Sequence, residues 1–538
     1  MKYASFRCIM MGEHEGQKEL FSYAVNLDRR VRANNPLRQI KEQIDFGWVR
    51  DEVKDCYGHN GHVSLDPEII LKLMFLLFWD NIGSERELMR IVGERLDYLW
   101  FLDYGLDDPI PDPSVLSKAR ARWGRDIFEG LFIRTVQQCV KEGLVGGKVI
   151  HMDGTLIVAN ASKDSIINGP EELIGALKQA YQVQEKKLEG NLGQPYYRPE
   201  NRKLMSKTDP DAPVIRRNKP GAKGDPRPCY KNHRVVDDQD GVITALETTP
   251  ADIEENAKMM DLVEQHESNT GYRAETTVAD AQYGTIDNFR KLQQQGYETH
   301  MAILHGKQRK DRKGFFSKDD FNYYSDLNRY LCPAGQWLYP RRHDPRRQAT
   351  EYHTRKDTCA ACPLKSKCTL AKNGRTIMRH DQQEMIDQAH LQANSAEAKK
   401  NRIKRKWLME GSFGQATRHH LKRSHYRRLW RQQIQDFIIA AVQNIKKVIS
   451  SKPDPRLHPA TAQQIAFARS ILQSCSIIPT IFAKNLHRDI SKTPPSLSFC
   501  REYHQLPTAL VGTLGNSSPR ADPFGVTRLQ TPNSRTAS

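Results

Sequence analysis

The chain has 538 residues, with 82 lysines and arginines against 64 aspartates and glutamates and a formal net charge of +18. A length of that order makes room for roughly three or four domain-sized units, and the basic surplus points to a polyanionic partner, nucleic acid before any other. A mean hydropathy of −0.68 and a longest apolar run, Ile69 to Trp79, that is too short to span a bilayer and contains Lys72 exclude a membrane-embedded protein.

The opening residues, MKYASFRCIMMGEHEGQ, contain no apolar stretch of secretory type, and the ten cysteines do not read as a disulfide scaffold, so a cytoplasmic location is expected. Residues 1–50 carry no clear period. From Pro67 the segment PEIILKLMFLLFWDNIG is apolar nearly all round and predicts a buried core helix. SERELMRIVGERLDYLWFL follows, with Ser84 and Glu87 spaced as a capping box. A proline-rich turn then leads into SVLSKARARW, a helix over 114–123 that Asp112 or Ser114 would cap and that carries Lys118, Arg120 and Arg122. It fits a DNA-reading helix and a packing helix equally. Phe128 to Leu144 gives one more amphipathic helix, and residues 1–145 are taken as a helical N-terminal domain.

The pattern changes at Gly147. KVIHMDGTLI predicts a strand with Asp153 embedded in it, and a polar excursion occupies 161–228. CYKNHRVVDD and VITALETTP predict a hairpin around Asp240-Gly241. A helix over 251–266, a strand ETTVADAQYGT that passes through Asp280, a helix stopping at Gly296 and a strand YETHMAI complete an α/β unit with a mixed sheet over 146–304. Residues 305–380 are basic and hold four cysteines. Helical signal returns over 381–449, with helix read through the basic stretch 399–431 and an apolar stripe from Trp430 to Val448. Residues 450–538, rich in Pro, Ser and Thr, predict a largely disordered tail.

Four features carry chemistry. Asp153, followed by Gly-Thr, is placed where a cleft opens above a sheet; the alternative is an aspartate that caps a turn. Asp280 repeats the arrangement. Two such carboxylates on one sheet would repel until one took up a proton, and a hard cation such as Mg²⁺ relieves that penalty. Glu410 is an acid in the most basic stretch of the chain, either a further metal ligand or the partner of Lys406 one helical turn before it. Cys332, Cys359, Cys362 and Cys368 match a four-thiolate zinc site, although the spacing departs from paired CxxC motifs and four free thiols would also fit. His151, His233 and His300 read as packed strand residues and Tyr283 as structural. Phosphate-loop, dinucleotide and nucleophile-elbow motifs are absent.

The blocks IHMDGT, YKNHRVVD…GVI, VADAQYGT and KWLMEGSFG resemble, in order, the core of insertion-sequence DDE transposases. The segment PEIILKLMFLLFW…PDPSVLSKARARWG is similar to the N-terminal domain of the same bacterial group, and the match runs over roughly residues 40–450. The resemblance implies an α/β fold: a ribonuclease-H-like mixed sheet flanked by helices, with an all-helical N-terminal domain and a cysteine-containing insertion. It carries catalytic and metal-binding roles onto Asp153, Asp280 and Glu410, with two Mg²⁺ or Mn²⁺ ions, one activating water or a DNA 3′-hydroxyl and the other stabilising the leaving oxygen. It also implies cleavage and strand transfer at terminal inverted repeats, with double-stranded DNA as partner and a homo-oligomer in the synaptic complex. A nuclease without strand transfer and an inactive DNA-binding derivative are the alternatives. Lys406, Arg418, Lys422, Arg423, Arg427 and Arg428 are expected to grip phosphates, and Lys118, Arg120 and Arg122 to read the element's ends. Where the family has Arg or Tyr four residues before the glutamate and Lys or Arg seven after, this chain has Lys406 and Thr417.

Overall fold

The computed structural model describes residues 25–58, 63–168, 204–216, 225–303, 314–371 and 373–451. The expected tail beyond Ser451 and most of the polar excursion lie outside the described residues.

Eight helices come first: α1 (Leu27–Arg30), α2 (Pro36–Gln43), α3 (Val49–Val53), α4 (Pro67–Trp79), α5 (Glu85–Val92), α6 (Leu96–Leu102), α7 (Ser114–Trp123) and α8 (Asp126–Lys141). Asp66 caps α4, accepting from the Glu68 N–H at 2.9 Å, and Pro67 at the first position is pre-set for helix. Ile69 through Phe78 is buried without a break. The one charge in that run, Lys72, is buried beside Glu68 at 2.7 Å and Asp103 at 3.4 Å. Ser84 caps α5 as its sequence predicts. For α7 the choice falls on Asp112, which accepts from the Ser114 N–H at 2.8 Å.

The main sheet is built from β1 (Val149–Val158), β4 (Val214–Arg216), β5 (Pro226–Asp237), β6 (Ile243–Pro250), β7 (Thr276–Val278) and β8 (Glu298–Thr299); β2 (Ile166–Asn168) and β3 (Leu204–Ser206) form a separate pair. The order is β4-β5-β1-β7-β8, with β6 also on β5. β5 runs antiparallel to β1 and β6, whereas β7 is parallel to β1 and β8 to β7. Helices α9 (Met259–Thr270) and α10 (Ile286–Gln294) connect the parallel strands. The helix expected from Ala251 starts eight residues later, because 251–258 forms a turn and a short 3-10 segment.

A second, antiparallel sheet follows, β9 (Asn322–Tyr324), β10 (Arg329–Leu331), β11 (Trp337–Asp344), β12 (Ala349–His353) and β13 (Thr376–His380), ordered as in the chain. Short helices α11 (Lys356–Ala360) and α12 (Lys365–Cys368) lie between its last two strands. The chain ends in α13 (Gln383–Asn394), α14 (Ala396–Thr417) and α15 (Leu429–Ser451). The helix expected across 399–431 is broken after Thr417. His420 and Arg428 hold left-handed φ of +67° and +83°. Between them the chain lies against the end of β1, with the Val158 N–H on the Lys422 carbonyl at 3.1 Å and the Ser424 N–H on the Val158 carbonyl at 2.8 Å.

One hydrophobic core spans α4, α8, β5, β6 and α15, so the helical N-terminal region shares its interior with the last helix. A second core lies on the other side of β1, between α9, α10 and β7. Among the described residues no helix is long and apolar enough to cross a membrane.

Candidate active site

β1 and β7 are neighbours in parallel register, His151 opposite Val278. Two residues further along each chain come Asp153, still within β1, and Asp280, just past the end of β7, close enough for the Asp280 charge to be felt at Asp153. Asp153 is a quarter exposed, and its Oδ2 accepts from Arg405 Nη1 on α14 at 2.7 Å. Its Oδ1 accepts from the adjacent Gly154 N–H at 2.9 Å. Burial raises the Asp153 carboxyl above its ordinary range, Arg405 pulls it back, and the neighbouring Asp280 adds to the rise. Asp280 is half-buried and accepts from the Gln282 N–H at 2.6 Å.

A third carboxylate, which sequence reasoning missed, shares this cleft. Glu255 lies in the turn between β6 and α9, and its carboxyl sits on Gly154: a Cβ at that position would fall 3.0 Å from Glu255 Cδ. The glycine after Asp153 therefore has a steric reason, since any side chain would push Glu255 away. Lys231 Nζ stands 3.7 Å from Glu255 Oε1. Burial raises the Glu255 carboxyl, with Asp153 and Asp280 adding to the rise and Lys231 opposing it. Beneath the group lies Tyr283, fully buried, its hydroxyl without a hydrogen-bond partner among the described residues. Burial and the charges of Glu255, Asp153 and Asp280 push its phenol well above the ordinary value. Three carboxylates are thus crowded against two cations and an unsatisfied hydroxyl. Hard oxygen donors in surplus of positive charge suit a divalent cation of the Mg²⁺ type. As the side chains are placed, no three His, Cys, Asp or Glu residues among those described stand at the spacing of a closed metal site.

Glu410 is placed differently. α14 turns Arg405, Met409, Ser412 and Ala416 inward, while Glu410, five residues past Arg405 and so about 140° around the helix, is exposed. The structure brings Asp153, Asp280 and Glu255 together and leaves Glu410 on the outer face of the helix that supplies Arg405.

The nine candidate DNA-contacting cations divide by burial. Lys118, Arg122, Lys406, Arg418, Lys422, Arg423 and Arg427 are exposed; Arg122 lies over the Tyr57 ring at 4.6 Å, and Arg427 Nε donates to the Asn160 carbonyl at 3.2 Å. Arg120 and Arg428 are buried. Arg120 is ion-paired with Glu85 and stacks on Tyr426 at 4.1 Å, tying α5 and α7 to the turn before α15. Arg428 meets Asp211 at 3.2 Å, and burial lowers it to about 9. A buried, paired guanidinium has no free face for a phosphate. The N-termini of α5 and α7 border an open groove of about 660 Å³ with His425 and Tyr426 on its far wall. Another exposed basic feature, not anticipated, is the β11–β12 hairpin with Arg341, Arg342, Arg346 and Arg347. His151, His233 and His300 are fully buried and hydrogen-bonded to Asp238, Thr249 and Glu298, as packed strand histidines.

Residues 25–122 match the family described as Transposase domain (DUF772), and residues 331–449 match the family described as Transposase DDE domain. Glu410 and the four cysteines fall inside the second match; Asp153, Glu255 and Asp280 lie between the two. A sequence search of curated proteins gives no match. Among solved structures, the cryo-EM structure of a piggyBac transposase synaptic complex with hairpin DNA is similar at 11% identity and a TM-score of 0.32, over 87% of this chain and 88% of that one. That likeness is too weak to carry an argument.

Proposed function

The chain carries the two domains of a DDE transposase, and on that premise we propose that it cuts and joins DNA at the terminal inverted repeats of an insertion sequence. The carrying observation is the nearness of Asp153 in β1 to Asp280 just past β7, where the Asp280 charge adds to the rise of the Asp153 carboxyl. The sheet order, with antiparallel β5 on one side of β1 carrying β4 and β6, and parallel β7 and β8 on the other, supports a ribonuclease-H-like core, and the β9–β13 sheet then reads as an insertion between β8 and the closing helices.

Asp153 and Asp280 would hold Mg²⁺ or Mn²⁺, two ions by the resemblance, with Glu410 as the expected third ligand. A divalent ion there supplies Lewis acidity for attack on a phosphodiester by water or a 3′-hydroxyl. Arg405 orients the Asp153 carboxylate, and Lys231 offsets the charge of Glu255. The exposed cations Lys406, Arg418, Lys422, Arg423 and Arg427 would grip backbone phosphates without reading sequence. Lys118 and Arg122 remain for contact with the element's ends. The protein would work in the cytoplasm on double-stranded DNA, as a homo-oligomer that brings two ends together.

The test is cleavage and strand transfer with a donor carrying the element's ends, a target plasmid and Mg²⁺ or Mn²⁺. D153N and D280N should each abolish cleavage while leaving DNA binding within about threefold. Wild-type-like nicking by either variant would overturn the assignment. Cleavage without joined product would identify a nuclease.

A further inference from the structure

The cysteines take no part in the acidic cleft, yet their surroundings are organised. Cys332 opens the turn after β10, Cys359 lies in α11, Cys362 follows it and Cys368 closes α12, so the four come from stretches up to 36 residues apart. All four line one small, partly open space of about 30 Å³, together with Phe316, Phe321 and Leu338. That wall contains no carboxylate and no imidazole, so sulfur is the available donor.

The backbone is shaped around the sulfurs. In the Cys332-Pro-Ala-Gly-Gln turn the Gln336 N–H donates to Cys332 Sγ at 3.3 Å and the Cys332 N–H to the Gln336 carbonyl at 2.9 Å. At Gly374, φ is +91° and an added Cβ would lie 2.8 Å from Cys359 Sγ, so only glycine lets the chain pass that close. Lys365 and Arg375 also border the space, and two cations offset the double negative charge that four thiolates leave around a divalent ion.

There is also a mechanical reason. The β9–β13 sheet has its own core of only five buried side chains, Phe321, Tyr330, Leu338, Tyr352 and Ile377, with Cys332 and Cys368 packed at its edge. So small a core needs a further fastening.

We infer that Cys332, Cys359, Cys362 and Cys368, whose sulfurs as placed stand wider than metal-ligand spacing, draw in to bind one structural Zn²⁺ that closes α11 and α12 onto the β9–β13 sheet. Four soft donors without an open position select zinc in a closed tetrahedral site. The site lies apart from the acidic cleft, so it stands or falls independently of the transposase reading.

The experiment uses the full chain, purified without chelator. Elemental analysis should give one zinc per chain and no iron. Titration of the wild-type protein with an organomercurial should release that zinc as four thiols react. Replacement by Co²⁺ should give the intense sulfur-to-metal charge-transfer band of a tetrathiolate. C359S and C368S should lose stoichiometric zinc, whereas C139S, C229S and D153N should keep it. Zinc well below one per chain, iron in its place, or full zinc in C359S and C368S would each overturn the inference. The wild-type titration decides the matter even if the variants fail to fold.

Discussion

Asp153 has two near neighbours that compete for its charge: the Arg405 guanidinium, which it accepts from, and the Glu255 carboxylate seated on Gly154. This arrangement sets Glu255 against Glu410 as the third acid of the site. E255Q should lower cleavage at least tenfold at limiting Mg²⁺ and recover part of it at high Mg²⁺, as expected for a lost contribution to metal affinity; an unchanged Mg²⁺ dependence would exclude Glu255. E410Q, measured in the same titration, reports whether α14 turns its outer face to the cleft when DNA is bound. The two aspartates were legible because each follows a short apolar strand and precedes a small residue. Glu255 was not, since it stands among Asp252, Glu254 and Asp261 in a polar stretch with no period, and only the folded contact with Gly154 singles it out. Burial of Arg120 and Arg428 was equally hidden, because a count of charges cannot tell a paired cation from a free one.

His419 gives a second prediction at this scale. Its Nδ1–H donates to the Phe78 carbonyl at 2.6 Å and its Nε2 accepts from Lys446 Nζ at 3.0 Å, and the Lys446 contact requires the neutral ring. Burial, with Lys446 beside it, lowers its pKa to about 4. The unfolded chain binds a proton at this residue below about pH 6.5, whereas the folded chain does not until about pH 4. Stability from this residue is therefore complete above pH 6.5 and lost as the pH falls from there to 4. Thermal unfolding from pH 7.5 to 5 should show a falling midpoint, and H419Q should flatten that slope; an unchanged slope would reject the assignment.

At the scale of elements, the basic character of the C-terminal region divides into two kinds. The turn from 418 to 428 holds exposed Arg418, Lys422, Arg423 and Arg427, whereas Arg428 closes it as a buried pair with Asp211. Each phosphate contact contributes about 0.9 to the slope of log affinity against log salt on duplex DNA. Replacing Arg418, Lys422 and Arg423 with glutamine should flatten that slope by two to three such contributions at most, on cognate and random DNA alike. R428M should leave the slope unchanged and instead lower the thermal midpoint, because it removes the ion pair that Arg428 makes with the partly exposed Asp211. A loss of salt dependence in R428M without loss of stability would show that the arginine leaves its pair to meet DNA. Helix-forming residues dominate 399–410, which made the first part of α14 legible, although Gly411 and Gly414 interrupt the run before its end. Its end was not, because the left-handed residues His420 and Arg428 are neither glycine nor asparagine, and the backbone pairing with Val158 that holds them there is long-range.

Across the whole molecule, the N-terminal helices and the main sheet share one interior. Phe132 of α8 packs on Phe437 of α15 with ring centroids 6.0 Å apart, and Phe78 of α4 meets His425 edge-on at 5.6 Å. α15 is buried from Ile434 through Ile445, an unbroken run that one sheet face cannot cover, since a helix buried all round needs neighbours on every side. Asn444 shows the sheet side of that packing, donating to the Ile243 carbonyl at 2.9 Å and accepting from the Ile243 N–H at 3.0 Å. The other side belongs to α4 and α8. Sequence periodicity marked α4 and α15 as apolar but could not assign them to each other across more than 350 residues. A helical domain that reads DNA on a free linker would fold alone; one welded through α15 would not. Residues 25–145 and 146–451 expressed separately should therefore be insoluble or lack a cooperative unfolding transition, and should recover both on co-expression. Within the intact chain, Phe437→Ala should cost about 3–5 kcal/mol and should shift a single unfolding transition rather than split it in two. Two resolved transitions in that variant, or a soluble cooperative 25–145 fragment, would mean that the N-terminal helices move independently of the acidic cleft.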